Sequence, residues 1–503
     1  MNMADSQQQP VVQPGLQSNA IGFVDAVSIG LNATSPAYSL AAVLGPIVVL
    51  VGVAAPGILL ASFIPMLLIA SAFYFLNRVD SDCGTTFSWV TRAMGPWLGW
   101  MGGWAIAMTG ILVVGSLADV GVRFLLLMVG QDELAANNTL VLVLAIALIV
   151  LMTWICVAGT EVSGRIQTVL NIAQVVAILI FVIFAIYKGA TGQGLPGAQM
   201  PALEWLNPFA VGSAGLSAGL LLGVFAYWGW ESAVNLNEET TDSSSTPGRA
   251  AIVSTFILLI TYLGTAIAVL MLVGPGFLAD RAGEEEMVFA FIAPEALGGF
   301  SWIVLAAVAI SAIAATQTTI IPASRTALSM ARRTAIPSYF GRISAKHRTP
   351  AISTWWVAII AIVWYVVVRS ISENALFDSL SALSLLIAFY YALTGLACAI
   401  YYRKLLFKSV RGFLLIGVGP VVGAIMLIWL LVLSVIEMAD PANSYGGVSW
   451  FGLGPPLVIS IFLFLVGGIF MVASRLKNTA FWQEKPSVAN PDLVPISEGG
   501  DEQ

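Results

Sequence analysis

The chain has 503 residues, 58% of them hydrophobic and only 10% charged, with a mean hydropathy of +0.91. Soluble domains carry about 25% charged residues, so this composition excludes a water-soluble globule and predicts a bundle of helices in lipid. The net charge of −6 decides nothing by itself, because in a membrane protein the placement of charge matters more than its sum.

Met1 to Ala20 is polar and rich in Gln, without the basic-then-apolar pattern of a cleaved signal; residues 1–20 read as a disordered cytoplasmic tail. Apolar windows of about 20 residues then predict twelve spans, near 23–53, 56–76, 95–129, 139–158, 163–188, 212–238, 248–273, 299–331, 351–369, 376–402, 412–438 and 452–475. The first, third and eighth are long enough that they must tilt or break. No stretch between the termini is polar enough to act as a linker, so one domain is expected. From Asn478 the chain carries Pro486, Pro491, Pro495 and acidic residues, and 478–503 reads as a second disordered tail.

An even number of spans puts both termini on one side. Of the 21 Lys and Arg residues, all but Arg123, Lys188, Arg281 and Arg369 fall on or near that side, which predicts that it is cytoplasmic. The opposite side carries Asp280, Glu284, Glu285 and Glu286.

Two spans carry the same flaw. In the first, FVDAVSIGLNATSPAYSLAAVLG, the residues Asn32, Thr34, Ser35 and Pro36 interrupt the apolar pattern, and proline cannot donate to the helix ladder. In the sixth, Tyr227-Trp228-Gly229-Trp230-Glu231 sets a glycine between two indoles and an acid halfway along the run. Glycine costs about 1 kcal/mol in a helix interior, and an intramembrane acid costs several kcal/mol. Backbone opens at membrane depth only where protein or water receives its freed groups. Each interrupted span opens a group of five, one running outward and the other inward, which predicts inverted repeats with a small-molecule site at their interface.

Three stretches carry a family resemblance that extends over about residues 20 to 475. FAYWGWESAVNLNEETTDSSSTPGRA, the sixth span with its exit, DSDCGTTFSWVTRAMGPWLGWMGGW before the third, and ASRTALSMARRTAIPSYFGRISAKHRTPAIS after the eighth resemble segments of the amino acid–polyamine–organocation superfamily of secondary transporters. The resemblance implies an all-α integral membrane protein of leucine-transporter type. Ten spans over 21–402 would form a 5+5 inverted repeat and two peripheral ones would occupy 403–477.

By that likeness Thr34-Ser35-Pro36-Ala37-Tyr38 stands where the family usually has Gly-Ser-Gly-Ile-Phe, and backbone N–H groups there receive a substrate carboxylate. Pro36 removes one donor; Ser35, Thr34 and Asn32 could compensate with side-chain groups. Phe225 matches an aromatic gate, or simply packs. Ala226, Tyr227, Trp228 and Gly229 would present carbonyls and rings to an ammonium group. Glu231 matches an often acidic position, either a proton-sensitive switch or a hydrogen-bonded brace. Glu238 and Glu239 would serve the helix–loop junction, with Arg249 or Arg165 as partners. Gln174 stands where proton-coupled members often carry lysine, and it cannot titrate.

Other polar residues admit two readings each. Asp119 makes an i,i+4 pair with Arg123, or else lines a vestibule for cationic substrates. Asp25 would join a cytoplasmic gate or cap. Ser311, Thr316, Gln317, Thr318 and Thr319 form a polar cluster that glues helices or lines a coupling-ion site. Ser381 and Ser384 are weaker versions of the same signal, and Tyr390 and Tyr391 read as packing residues.

Cys83, Cys156 and Cys398 lie far apart without disulfide or metal spacing, and the single histidine, His347, sits in a basic loop. No metal or other cofactor is expected, beyond a coupling ion that would be H+ with Na+ open. No catalytic constellation appears, so an enzyme is not expected. A channel would need a continuous polar stripe, and a membrane amino-acid sensor a sizeable signalling domain. The expectation is a permease for an amino acid, in proton-coupled uptake, with a polyamine or alkylamine as the alternative substrate. Its partners would be that small molecule and the bilayer, with no nucleic acid.

Overall fold

A computed structural model describes residues 15–281, 287–371, 374–443 and 448–490, so Glu284, Glu285, Glu286, Pro491 and Pro495 lie outside the described residues. Among those described, the chain is built of helices. The first is α1 (Phe23–Thr34), and it ends where the sequence predicts a fault. Ser35 adopts the left-handed conformation, with φ 56° and ψ 65°, uncommon for a residue with a side chain. Pro36 then starts α2 (Pro36–Val51), at the one helical position where a missing N–H costs nothing. The ladder closes across the break on both sides: the Ser35 N–H bonds the Leu31 carbonyl and the Ser39 N–H bonds the Ser35 carbonyl, each at 2.8 Å.

After a short turn follow α3 (Ala55–Val79), α4 (Thr86–Met94), α5 (Pro96–Met128), α6 (Asn138–Ala158) and α7 (Thr160–Ala190). Then α8 (Ser213–Tyr227) stops short and gives way to single turns at Trp230–Ala233 and Asn237–Glu239. The second half continues with α9 (Thr246–Leu272), α10 (Val288–Leu297), α11 (Trp302–Arg332), α12 (Ala351–Ile371), α13 (Asn374–Tyr401), α14 (Gly419–Met438) and α15 (Pro455–Lys477).

Among the described residues, ten helical runs are long and apolar enough to cross a bilayer, the first being the 57-residue run Phe23–Val79. At 1.5 Å per residue the 33 residues of α5 reach about 50 Å, beyond the roughly 30 Å hydrocarbon layer, so α5 tilts or protrudes. The core packs through small residues: a Cβ at Gly110 of α5 would lie 3.0 Å from the Thr319 carbonyl oxygen of α11, so glycine lets the two backbones approach. The outer helices are reversed in polarity. Along α7, Val169, Ile172, Val176, Leu179 and Ile183 are exposed, an apolar stripe at helical spacing that suits lipid and not water.

One face gathers both described ends of the chain, and we call it the terminal face. There the Ala20 and Ile21 N–H groups bond the Glu239 carbonyl at 2.8 and 3.1 Å. Residues 478–490, which composition predicts as part of a disordered tail, instead lie across this face. Phe481 stacks on Phe87 at 5.5 Å, the Ser487 N–H bonds the Arg92 carbonyl at 2.7 Å, and the Ala489 N–H bonds the Tyr401 carbonyl at 2.9 Å. Two aromatic residues, Phe481 and Trp482, anchor an otherwise polar segment.

Candidate functional site

The two interrupted helices meet at their faults. Gly229 follows the end of α8 with φ 121°, and a Cβ there would lie 2.6 Å from both the carbonyl carbon and oxygen of Ala33. Only glycine permits that conformation and that approach together.

On the α2 side of this contact, the Ser35 and Ser311 hydroxyls are 2.8 Å apart and the Tyr38 N–H reaches Ser311 Oγ at 3.4 Å. The Tyr38 hydroxyl is 3.0 Å from Ser116 Oγ. Thr34 is turned back onto its own helix, donating to the Gly30 carbonyl at 3.0 Å, while Ser39 Oγ donates to the freed Thr34 carbonyl at 2.7 Å. The break thus places the positive end of α2 beside two hydroxyls, with Ala37 in its first turn.

On the α8 side, the Ala226 carbonyl accepts the Tyr262 hydroxyl at 2.6 Å. The Tyr227 hydroxyl and the Trp230 Nε1 are buried without a hydrogen-bond partner. Phe225 lines a cavity of about 30 Å³ with Ala42, Val43, Leu380 and Ser384. Ser35, Tyr38, Phe225 and Trp228 are all buried, so the site is shut off from bulk solvent in this conformation.

Glu231 accepts three neutral donors: the Tyr390 and Tyr391 hydroxyls at 2.5 Å each and the Gly229 N–H at 3.1 Å. Trp228 Nε1 donates to the Tyr390 hydroxyl at 2.5 Å, so the chain of bonds runs from one indole of the fault to its carboxyl group. Tyr390 and Tyr391 therefore do more than pack. The sequence signal was available: they enter an apolar span as adjacent phenols, and a buried acid needs such donors.

Asn32, Gln174 and Gln317 come together through Gln167, which sequence reasoning passed over. Asn32 Nδ2 donates to the Gln167 carbonyl at 2.6 Å and to its Oε1 at 2.5 Å; Gln167 Nε2 donates to Gln317 Oε1 at 2.7 Å; Gln174 Nε2 donates to Asn32 Oδ1. Gln174 Oε1 is buried with no partner. Gln167 and Gln174 lie two turns apart on one face of α7, a spacing that could have revealed the amide chain tying α1, α7 and α11.

Asp119 lies elsewhere. It is buried between α5 and α12, bonded to Arg123 at 2.6 Å and to the Tyr365 hydroxyl at 2.5 Å, with Arg369 at 3.9 Å. That is the geometry of an interhelical brace. Asp25 accepts from Thr168 at 2.7 Å.

At the terminal face Glu239 pairs with Arg325 at 3.0 Å, both buried, and Glu238 with Arg332 at 2.8 Å. Arg325 and Arg332 sit seven residues apart on one face of α11 and so reach both acids, whereas Arg249 is exposed on the first turn of α9. Asp82, Cys83 and Glu238 also converge, but Ser329 donates to Asp82 at 2.6 Å and the Cys83 N–H to Glu238 at 3.1 Å. Burial first, then Glu238 and Asp82, push the Cys83 thiol well above its ordinary range, which keeps it protonated and a poor metal donor.

Residues 17–472 match the model of the family described as amino acid permease. The branched-chain amino acid permease BcaP of Lactococcus lactis subsp. cremoris is 24% identical over 358 residues, 68% of this chain and 74% of its own length. The human Asc-type amino acid transporter 1 is 24% identical over 272 residues, 53% of this chain and 50% of its own. The crystal structure of MhsT in complex with L-phenylalanine is similar with a TM-score of 0.58 and 16% identity, over 84% of this chain and 100% of that one. The last likeness establishes the fold as leucine-transporter type.

Proposed function

The chain belongs to the amino acid permease family, and on that premise we propose that it is a secondary active transporter, carrying an amino acid across the cytoplasmic membrane by alternating access in proton-coupled uptake. The observation that carries this reading is the meeting of two broken helices at Ala33 and Gly229. It leaves a helix N-terminus on one side and helix-end carbonyls on the other, the two halves of a zwitterion's complement.

The substrate carboxylate sits at the start of α2, on the Ala37 and Tyr38 N–H groups, with the Ser35 and Ser311 hydroxyls standing in for the donor that Pro36 lacks. Its ammonium group meets the carbonyls of Ala226, Tyr227 and Trp228 and the adjoining rings. Phe225 closes over it. Glu231, whose partners are neutral donors, is the group whose proton is exchanged. The 57-residue run makes two crossings and the interrupted α8 with its exit makes one, giving twelve, with both termini cytoplasmic.

An alkylamine or polyamine needs only the carbonyl half of this site, and Pro36 favours that second reading. Thermal stabilisation of the purified protein separates the two, using L-leucine, L-phenylalanine, L-serine, L-glutamate, isopentylamine and putrescine. A ligand that binds only the folded state at 100 times its Kd adds about 2.7 kcal/mol. Stabilisation by an amino acid and not by its amine supports the first reading; stabilisation by amines alone replaces it with the second. Uptake into proteoliposomes that follows an imposed pH gradient supports proton coupling, and uptake that follows a sodium gradient at constant pH overturns it.

A further inference from the structure

A second cavity, of about 550 Å³, lies among the end of α2, the start of α8, α13 and the end of α14. It is on the face opposite the termini, and its volume is within the range of small-molecule sites. Leu221, Leu222 and Ser381 line both this cavity and the small one at Phe225, so the two are neighbours on one route toward the breaks. Its wall is mainly apolar, with Val49 and Leu50 at the end of α2. Among the described residues lining it, Glu437 is the one with a charge.

Glu437 comes from the last turn of α14, a helix outside the ten-span core, and it is held in place. Ser217 Oγ donates to its Oε1, and Asn443 Nδ2 donates to its backbone carbonyl at 2.9 Å. A carboxylate in a concave, low-dielectric wall focuses its field into the space it lines. A solitary acid among leucines and valines fits a ligand with a cationic head and an apolar body.

We propose that this cavity is a recruiting site for the incoming substrate, in which Glu437 binds the ammonium group and Val49, Leu50 and Leu222 take the apolar side chain before Phe225 opens. The site rests on the transport reading above and narrows it: substrates with an apolar side chain enter readily and acidic amino acids are repelled.

The test is sided uptake into oriented proteoliposomes, using whichever of L-leucine, L-phenylalanine, L-serine or isopentylamine the wild-type protein carries best. Glu437→Gln, which keeps the shape and removes the charge, raises KM for movement from the far face roughly three- to tenfold. It leaves the maximal rate and the KM from the terminal face unchanged. The difference shrinks in 1 M salt. Glu437→Asp recovers most of the affinity, and Ser217→Ala, which frees the carboxylate, gives a smaller rise; these two variants carry the test if the Gln variant does not fold. An unchanged KM, or one shifted equally from both faces, overturns the recruiting site and leaves the transport reading standing. Wild-type uptake confined to L-glutamate overturns the site as well. Wild-type vesicles that accumulate no amino acid or amine overturn both.

Discussion

Glu231 is a buried carboxyl group beside the break at Gly229, and the proposed proton coupling rests on it. Removing an acid from water is costly inside a protein, and here two phenols and one backbone N–H make up for part of that cost without a cation. Glu231→Gln keeps the volume but presents an amide N–H₂ to at least one of those donors. We expect substrate-stabilised melting to persist while substrate-driven proton movement, followed with a pH-sensitive dye inside proteoliposomes, disappears. Proton movement at the wild-type level would reassign Glu231 to a brace. Sequence reasoning found this acid because a carboxylate halfway along an apolar run contradicts its surroundings. It missed what the acid needs, since Tyr390 and Tyr391 satisfy apolar packing equally well until their hydroxyls are located.

At the scale of the helix, the faults were legible and their consequences were not. Pro36 and Gly229 announce breaks by backbone chemistry alone, which local sequence carries. That the two breaks touch, with Gly229 against Ala33, depends on how distant helices pack. Gly229→Ala would place a methyl group against a carbonyl, at a φ of 121° that alanine rarely adopts. It should cost at least about 2 kcal/mol, seen as a lowered Tm together with lost ligand stabilisation; an unchanged Tm would mean the breaks are not in contact. Pro36→Gly restores an N–H at the start of α2. Hydrogen bonds to charged groups contribute about 1.5–3 kcal/mol, and the added flexibility of glycine offsets up to about 1 kcal/mol. The affinity for an amino acid over its own amine should therefore rise several-fold in thermal-shift titrations. A ratio that stays flat would place the carboxylate away from α2. The amide chain shows the same limit of sequence: Asn32, Gln174 and Gln317 each stand out as polar residues in apolar spans, but only the packing of α1, α7 and α11 shows Gln167 joining them.

Over the whole molecule, the two faces differ in how they are closed. The far face holds a cavity of about 550 Å³, while the terminal face is sealed by ion pairs between the exit of α8 and the end of α11. On the transport reading proposed above, the asymmetry corresponds to one end of an alternating cycle. Arg325 and Glu239 are both buried, and removing one partner of such a pair leaves an unpaired buried charge, at a cost of about 3–5 kcal/mol. Arg325→Ala should therefore favour a conformation in which Glu239 reaches water, one open at the terminal face. Cys83 provides the readout. It is buried at this seal, its Sγ 3.5 Å from the Arg325 carbonyl, and burial holds the thiol protonated. The thiolate is the form that adds to a maleimide double bond, so wild-type Cys83 should resist labelling even as the pH rises through 9. Opening the seal hydrates the thiol, returns it toward its ordinary range and should speed its labelling by an order of magnitude or more. Cys156 and Cys398, buried within helices, serve as internal controls when the labelled site is mapped by peptide mass. Equal labelling of Cys83 in both proteins would show that the pair braces the loop without governing access. A rise at all three cysteines would show general unfolding, and a rise at Cys83 alone, with uptake from the far face weakened in oriented proteoliposomes, would identify the pair as the latch of the terminal gate.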